Sequence, residues 1–173
     1  MGVKITISNK LTRLLKSSES RGLIKEVRKE FAKKGPIKVK QAINQDMIRG
    51  ISPVDGKGKW KKYSDSYKEE IRQGKSKKMK GAKPSKRINP ANLRLSGELH
   101  NSLSTYVRGK TFFIKFSHFL ADIHNRRGAS KKKVIRRMLP TKKGEKFNRT
   151  IESTFLGELK KAVDKVAKSF LGK

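Results

Sequence analysis

The apolar residues of this 173-residue chain are gathered into three stretches, separated by two stretches rich in lysine. Residues 50–92 and residues 129–149 hold few apolar side chains, so neither segment can bury enough surface to order itself. We therefore expect two long basic loops, the first of them mobile until it binds a partner. A fold for this chain has to bring the three apolar stretches together and leave the basic segments outside.

The first apolar stretch predicts an extended arm followed by a long helix. Apolar and polar residues alternate from Val3 to Ile7, and residues 1–19 are interpreted as an arm or strand plus a short helix. Residues 20–49 then carry an apolar stripe at helical spacing. Because proline removes a backbone donor, we expect this helix to be kinked or split at Gly35-Pro36.

The middle stretch predicts a small antiparallel sheet. Tyr106-Val107 and Phe112–Phe116 read as two strands around the turn Arg108-Gly109-Lys110. The leucines before them indicate a short helix that ends near Ser104, and the segment HFLADIHNRRG indicates another, capped by Gly128. On the second strand, alternate residues are expected to face the core, which turns Phe113 to the opposite side.

The last stretch predicts an amphipathic helix from about residue 150 to 171, because its apolar residues recur at helical spacing. Its expected packing anchors are Phe155, Leu159, Val163 and Val166. The predicted fold class is α+β, with a small antiparallel sheet packed against the long N-terminal helix and this C-terminal helix. Residues 20–171 are interpreted as a single domain with basic loop insertions at about 50–92 and 129–149.

Trp60, the single tryptophan of the chain, lies among lysines. A base could stack on its ring, as bases do in proteins that bind single strands. Tyr63 and Tyr67 follow at intervals of three and four residues, which would put all three rings on one face of a short helix. This spacing favours packing, and Trp60 is interpreted as the anchor that holds the start of the first basic loop to the body.

The net charge of +32, from 46 Lys and Arg against 14 Asp and Glu, points to a polyanionic partner. Without one, self-repulsion would lower stability. Nucleic acid, an acidic protein surface and anionic lipid all fit, and a charged run that is merely solvated remains an alternative. No apolar run approaches the roughly 20 residues that span a bilayer, and the N-terminus lacks the apolar region of a signal peptide. We expect a soluble protein made inside the cell.

The sequence predicts no enzyme, no catalytic or metal site and no cofactor. It has no cysteine, P-loop, GxSxG or HExxH motif. A nuclease would need carboxylates or histidines around one metal ion, and Asp122 and His124 are spaced to lie on different sides of a helix. We therefore interpret His100, His118 and His124 as surface or half-buried polar residues.

The residues expected to contact DNA or an acidic partner are the cations of the two basic segments, which gain by releasing counterions from phosphates. They are Lys57, Lys59, Lys61, Lys62, Lys75, Lys77, Lys78, Lys80, Lys83, Lys86, Arg87, Lys131, Lys132, Lys133, Arg136, Arg137, Lys142 and Lys143.

Four short motifs, in order, resemble the tail-completion or virion-morphogenesis proteins of tailed bacteriophages. They are SPVDGKGKW, LSGELHNS, ADIHNRRG and RRML, within a region of about residues 23–170. The matching positions are Pro53, Gly56 and Trp60; Leu95, Gly97, Leu99 and Ser102; Ala121, Ile123, His124 and Gly128; and Arg136, Arg137, Met138 and Leu139. The fourth motif lacks the family's proline before the arginines and its glycine after the leucines.

The resemblance implies a structural protein of the virion neck, assembled in the host bacterial cytoplasm. Copies would form a homo-oligomeric ring, of about six or twelve subunits, that joins the DNA-filled head to the tail. Its partners would be the portal and head-closure proteins above, the tail terminator or tail tube below, and the genomic DNA in the channel, with no membrane and no small-molecule substrate. The alternative is a non-specific nucleic-acid-binding protein, associated with the nucleoid or the ribosome, which the charge alone also supports.

Overall fold

The computed structural model describes residues 2–6, 18–73, 91, 93, 97–127 and 134–171. It confirms the predicted α+β class: a small antiparallel sheet packs against a long N-terminal helix and a C-terminal helix. In chain order the elements are β1 (Gly2–Thr6), α1 (Ser18–Ile48), α2 (Asp65–Gln73), α3 (Glu98–Asn101), β2 (Leu103–Arg108), β3 (Thr111–Phe116), α4 (Phe119–Asp122), one π-helical turn (Ile123–Arg127) and α5 (Arg149–Leu171).

The sheet has the strand order β1-β3-β2, and both pairings are antiparallel. Arg108 pairs with Thr111, which leaves the two-residue loop Gly109-Lys110 between β2 and β3. Gly109 adopts a φ of 57°, which glycine reaches at little cost and which suits a tight hairpin. The predicted hairpin is therefore present. The N-terminal arm supplies a third strand along the other edge of β3.

Helix α1 runs unbroken through Gly35-Pro36, so of the predicted alternatives, a kink or a split, the split is wrong. The reason lies in the packing of its buried face. A side chain at position 35 would meet the ring of Phe31, since an added Cβ would lie 2.3 Å from that ring. Val39 and Ile43 continue the same face into the core, fully buried. Burial on both sides of the proline outweighs the roughly 3 kcal/mol that proline costs inside a helix.

The core lies between the inner face of the sheet and the α1–α5 pair. Phe112, Ile114 and Phe116 point inward from β3 and are buried. Phe112 meets Phe31 of α1 and Phe155 of α5, with ring centroids 5.7 Å and 5.4 Å apart. This aromatic cluster joins the three apolar stretches of the sequence, as the predicted fold requires.

Helix α5 buries a narrower face than the sequence predicts. Val166 is 8% exposed and Phe155 packs against two core rings, but Val163 is 38% exposed. Val163 is therefore not a core anchor. Ile151, Ala162 and Val166 are buried, Phe155 and Leu159 are half-buried against the core, and Val163 lies on the flank of the stripe they form.

Three further expectations need correction. The helix predicted to end near Ser104 is limited to α3, because Leu103 begins β2 and Leu93 has a φ of 56°. Within the first basic segment, residues 65–73 form α2, whose Ile71 is buried. In the second segment, Met138 and Leu139 belong to the core. Residues 74–90 and 128–133, which include Gly128 and most of the predicted loops' lysines, lie outside the described residues.

Candidate functional site

The two basic segments meet at a buried junction, which we define as Ser52, Trp60, Asn125, Arg136 and Arg137 together with the backbone of residues 138–139. The centre of the junction is the amide of Asn125, which is fully buried. Its Oδ1 accepts hydrogen bonds from the backbone N–H of Met138 and Leu139, at 2.6 Å and 2.9 Å. Its Nδ2 donates to the carbonyl of Leu139 at 3.2 Å. A single side chain therefore fixes the second basic segment to the π-helical turn that follows α4.

Trp60 fixes the first basic segment to the same place. Its ring is 8% exposed, and its Nε1 donates to the carbonyl oxygen of Arg137 at 3.3 Å. The hydroxyl of Ser52 donates to that same oxygen at 2.9 Å. The structure thus places Trp60 in the core as a packing anchor. It precedes α2, so the three rings do not share a helix face, although Tyr63 and Tyr67 do contact each other.

Arg136 lies inside the junction, and its predicted contact with DNA is therefore wrong. The residue is 5% exposed, with one guanidinium nitrogen donating to the carbonyl of Lys61 at 3.1 Å. The guanidinium carbon lies 5.2 Å from the centroid of the Tyr63 ring, a cation–π contact. Burial lowers the pKa of Arg136, and Tyr63 and Tyr67 oppose that shift. The charged side chain of Arg136 therefore stabilises the fold.

Arg137 is also held by the protein, because its side chain is only 10% exposed. Its guanidinium donates to the hydroxyl of Thr141 at 3.2 Å and lies 3.8 Å from Glu145. Burial raises the pKa of Glu145. Hydrogen bonds from the backbone of Lys142 and Thr141, with the charges of Arg137 and Lys57, outweigh that effect and lower it. Arg136 and Arg137 thus both stabilise the second basic segment.

The histidines do not assemble a site. Burial, and then the charge of Arg136, lower the pKa of His124 to about 4, so this side chain is neutral at pH 7. His118 caps α4, accepting a hydrogen bond from the N–H of Leu120, and His100 is buried rather than at or near the surface. Asp122 pairs with Arg126 and Arg127. In the described ranges, no group of three metal-ligating side chains comes together.

Around the junction, lysines of both basic segments are exposed, and we name this surface the basic rim. The two segments run side by side, since Val54 pairs with Phe147 and the N–H of Asp55 donates to the carbonyl of Lys146. The members of the basic rim are Lys57, Lys59, Lys61, Lys62, Lys142 and Lys143. The remaining predicted contact residues lie outside the described residues: Lys75, Lys77, Lys78, Lys80, Lys83, Lys86, Arg87, Lys131, Lys132 and Lys133.

Two asparagines that organise the site were not singled out from the sequence. Asn125 sits in a predicted helix, and nothing in its spacing indicates that it is buried. Asn148 precedes α5, where an asparagine is a favoured cap, so its position did carry a signal. Its Oδ1 accepts from the N–H of Ile151, and its Nδ2 donates to Asp46 at 2.7 Å and to the carbonyl of Ser52 at 3.1 Å.

Comparisons with protein-family models, with curated proteins and with solved structures found no match for this chain. Among the helices of the described residues, none is both long and apolar enough to cross a membrane. The junction and the basic rim are therefore interpreted from their geometry and charge.

Proposed function

We propose that this chain is a structural neck protein of a tailed bacteriophage, forming a ring that joins the DNA-filled head to the tail. The observation that carries the proposal is the junction. The four motifs that resemble the tail-completion family are separate in the sequence, and described residues of all four belong to one packed core. Trp60 of the first motif binds the carbonyl of Arg137 in the fourth. The backbone N–H of Arg136 in the fourth motif donates to the backbone carbonyl of His124 in the third, at 2.7 Å.

The second motif joins the same core. Leu99 is 4% exposed and belongs to one hydrophobic cluster with Ala121 of the third motif and Met138 of the fourth. Motifs that form one structural unit have a physical reason to occur together and in a fixed order. This unit supports the resemblance, because a shared fold would require its packing residues at these positions.

The basic rim supplies the surface that a neck protein needs. A genome that passes through a channel is not read, so the wall has to attract phosphates without selecting bases. Exposed lysines do so through counterion release, and they suit an acidic neighbouring ring equally well. The rim residues border a packed body, in which Arg136 and Arg137, also predicted as contacts, instead stabilise the fold. No catalytic step is required of this protein.

Electron microscopy of the phage that encodes the chain, with this gene disabled, tests the proposal. We expect filled heads and complete tails that lie unjoined, and joined virions once the wild-type gene is supplied in trans. Normal virions from the disabled phage would overturn the proposal. In that case the non-specific nucleic-acid binder would be the better account, and its signature is DNA affinity in a monomer or dimer that falls by orders of magnitude from low to physiological salt.

A further inference from the structure

The outer face of the sheet carries an aromatic pair that the core does not use. Tyr106 on β2 and Phe113 on β3 are cross-strand partners on the face opposite Phe112 and Ile114. Their rings stack, with centroids 5.1 Å apart and planes 14° from parallel. Tyr106 is 36% exposed and Phe113 is half-buried. Adjoining apolar groups on a surface with polar residues around them are typical of a site where a partner binds.

The charged residues of strands β2 and β3, which carry the pair, are both positive. The ammonium of Lys115 lies 5.6 Å from the centroid of the Tyr106 ring. Arg108 is exposed on the same strand as Tyr106. Neither the three strands nor their turn contains an acidic residue. An apolar partner surface would leave these cations without partners, whereas a polyanion with flat rings satisfies both the cations and the aromatic pair.

We propose that the outer face of the sheet binds single-stranded nucleic acid, with a base stacked on the Tyr106–Phe113 pair and phosphates at Lys115 and Arg108. Base–aromatic stacking tolerates any sequence because every base has a flat face. Sheets with exposed aromatic residues bind unpaired bases in this way. A duplex keeps its bases inside the helix and offers none to the rings, so this site goes beyond the neck function proposed above and does not depend on it.

Fluorescence anisotropy with the full chain tests the site, using a labelled 20-nucleotide single strand and an abasic strand with the same number of phosphates. The wild-type protein should bind the strand with bases about tenfold more tightly, the range that one base–aromatic stack contributes. Tyr106→Ile removes the ring but keeps a residue suited to a strand, and should abolish most of that difference. Tyr106→Phe keeps the ring and should preserve it.

Phe119→Ala is the matched control, because Phe119 is an aromatic residue 69% exposed on α4, outside the sheet. It should bind both strands as the wild type does. Equal affinity of the wild type for the two strands would overturn the proposal, since binding would then rest on phosphates alone. An unchanged preference in Tyr106→Ile would overturn it as well, and so would tighter binding to a duplex of the same sequence.

Discussion

Two tyrosines of this protein each lie next to a basic side chain. The two cation–tyrosine pairs have different roles, because one pair is buried and the other is exposed. In the junction, the Arg136 guanidinium lies 5.2 Å from the Tyr63 ring, with both residues under 10% exposed. On the outer face of the sheet, the Lys115 ammonium lies 5.6 Å from the Tyr106 ring, with both residues exposed. Both pairs place a basic side chain near an aromatic ring, but only the pair in the junction is buried. A basic residue in this chain is therefore not by itself a contact for a polyanion.

The choice of cation follows from the same difference. Arginine is less strongly hydrated than lysine and offers several donors in a fixed plane, so it is the cheaper cation to bury. Arg136 uses one donor on the carbonyl of Lys61 and lays its plane near Tyr63. Lys115 keeps its strongly hydrated ammonium in water, where a phosphate can displace that water. The junction thus stabilises the body, and the sheet face and the basic rim keep their charge available.

The largest effect is expected from Asn125→Ala. The substitution leaves the backbone N–H groups of Met138 and Leu139 without their acceptor inside the core, which should cost about 3 kcal/mol or more. Chemical denaturation measures the loss. Asn101→Ala is the control, since Asn101 is exposed on α3, and it should change stability by less than about 0.5 kcal/mol. Equal losses in the two variants would mean that Asn125 does not hold the junction.

Arg136→Met and Lys115→Met compare the two cation–tyrosine pairs directly. Arg136→Met should lower the free energy of unfolding by about 2 kcal/mol, because the partly buried carbonyl of Lys61 loses its donor. Lys115→Met should change it by less than about 0.5 kcal/mol and weaken the binding of single strands instead. Should Arg136→Met prove as stable as the wild type, the buried pair would have no structural role.

A neighbouring pair of valines on α5 tests the revised helix face. Val166→Ala should cost about 2 kcal/mol, the value of two buried methyl groups and the cavity they leave. Val163→Ala should fall within about 0.5 kcal/mol of the wild type, since Val163 is 38% exposed. Thermal or chemical denaturation of both variants distinguishes them. A larger loss for Val163 would restore the face that the sequence predicted.

The smallest effect concerns pH. His124 has a pKa of about 4 in the folded chain, against an ordinary value of 6.5. As the pH falls below 6.5, the unfolded chain takes up a proton that the folded chain does not, so stability falls with pH down to about 4. We expect a loss of about 1 kcal/mol between pH 7 and pH 5.5. His124→Gln should remove most of this dependence, and an unchanged pH profile in that variant would contradict the assignment to His124.

The sequence predicted those parts of the fold that depend on local patterns. Periodic apolar residues specified α1 and α5, and alternation around Gly109 specified the hairpin. The role of Arg136 could not be predicted in this way, because its burial depends on Lys61 and Tyr63, some 75 residues earlier in the chain. Asn125 is similar, since its partners are the backbone groups of a segment that carries no periodic signal. The exposure of Val163 could not be predicted from helical spacing either, because the elements that pack against α5 set the width of its buried face.

The central proposal is that the basic rim of a neck protein serves to join head and tail. Complementation of the gene-disabled phage tests it most directly. The variant to supply in trans carries Lys57→Glu, Lys59→Glu, Lys61→Glu and Lys62→Glu, exposed positions whose reversal should leave the fold intact. Circular dichroism and melting verify the fold before the particles are imaged. The account predicts joined virions with the wild-type gene and separate filled heads and tails with the folded variant. Full restoration of joined virions by that variant would contradict it.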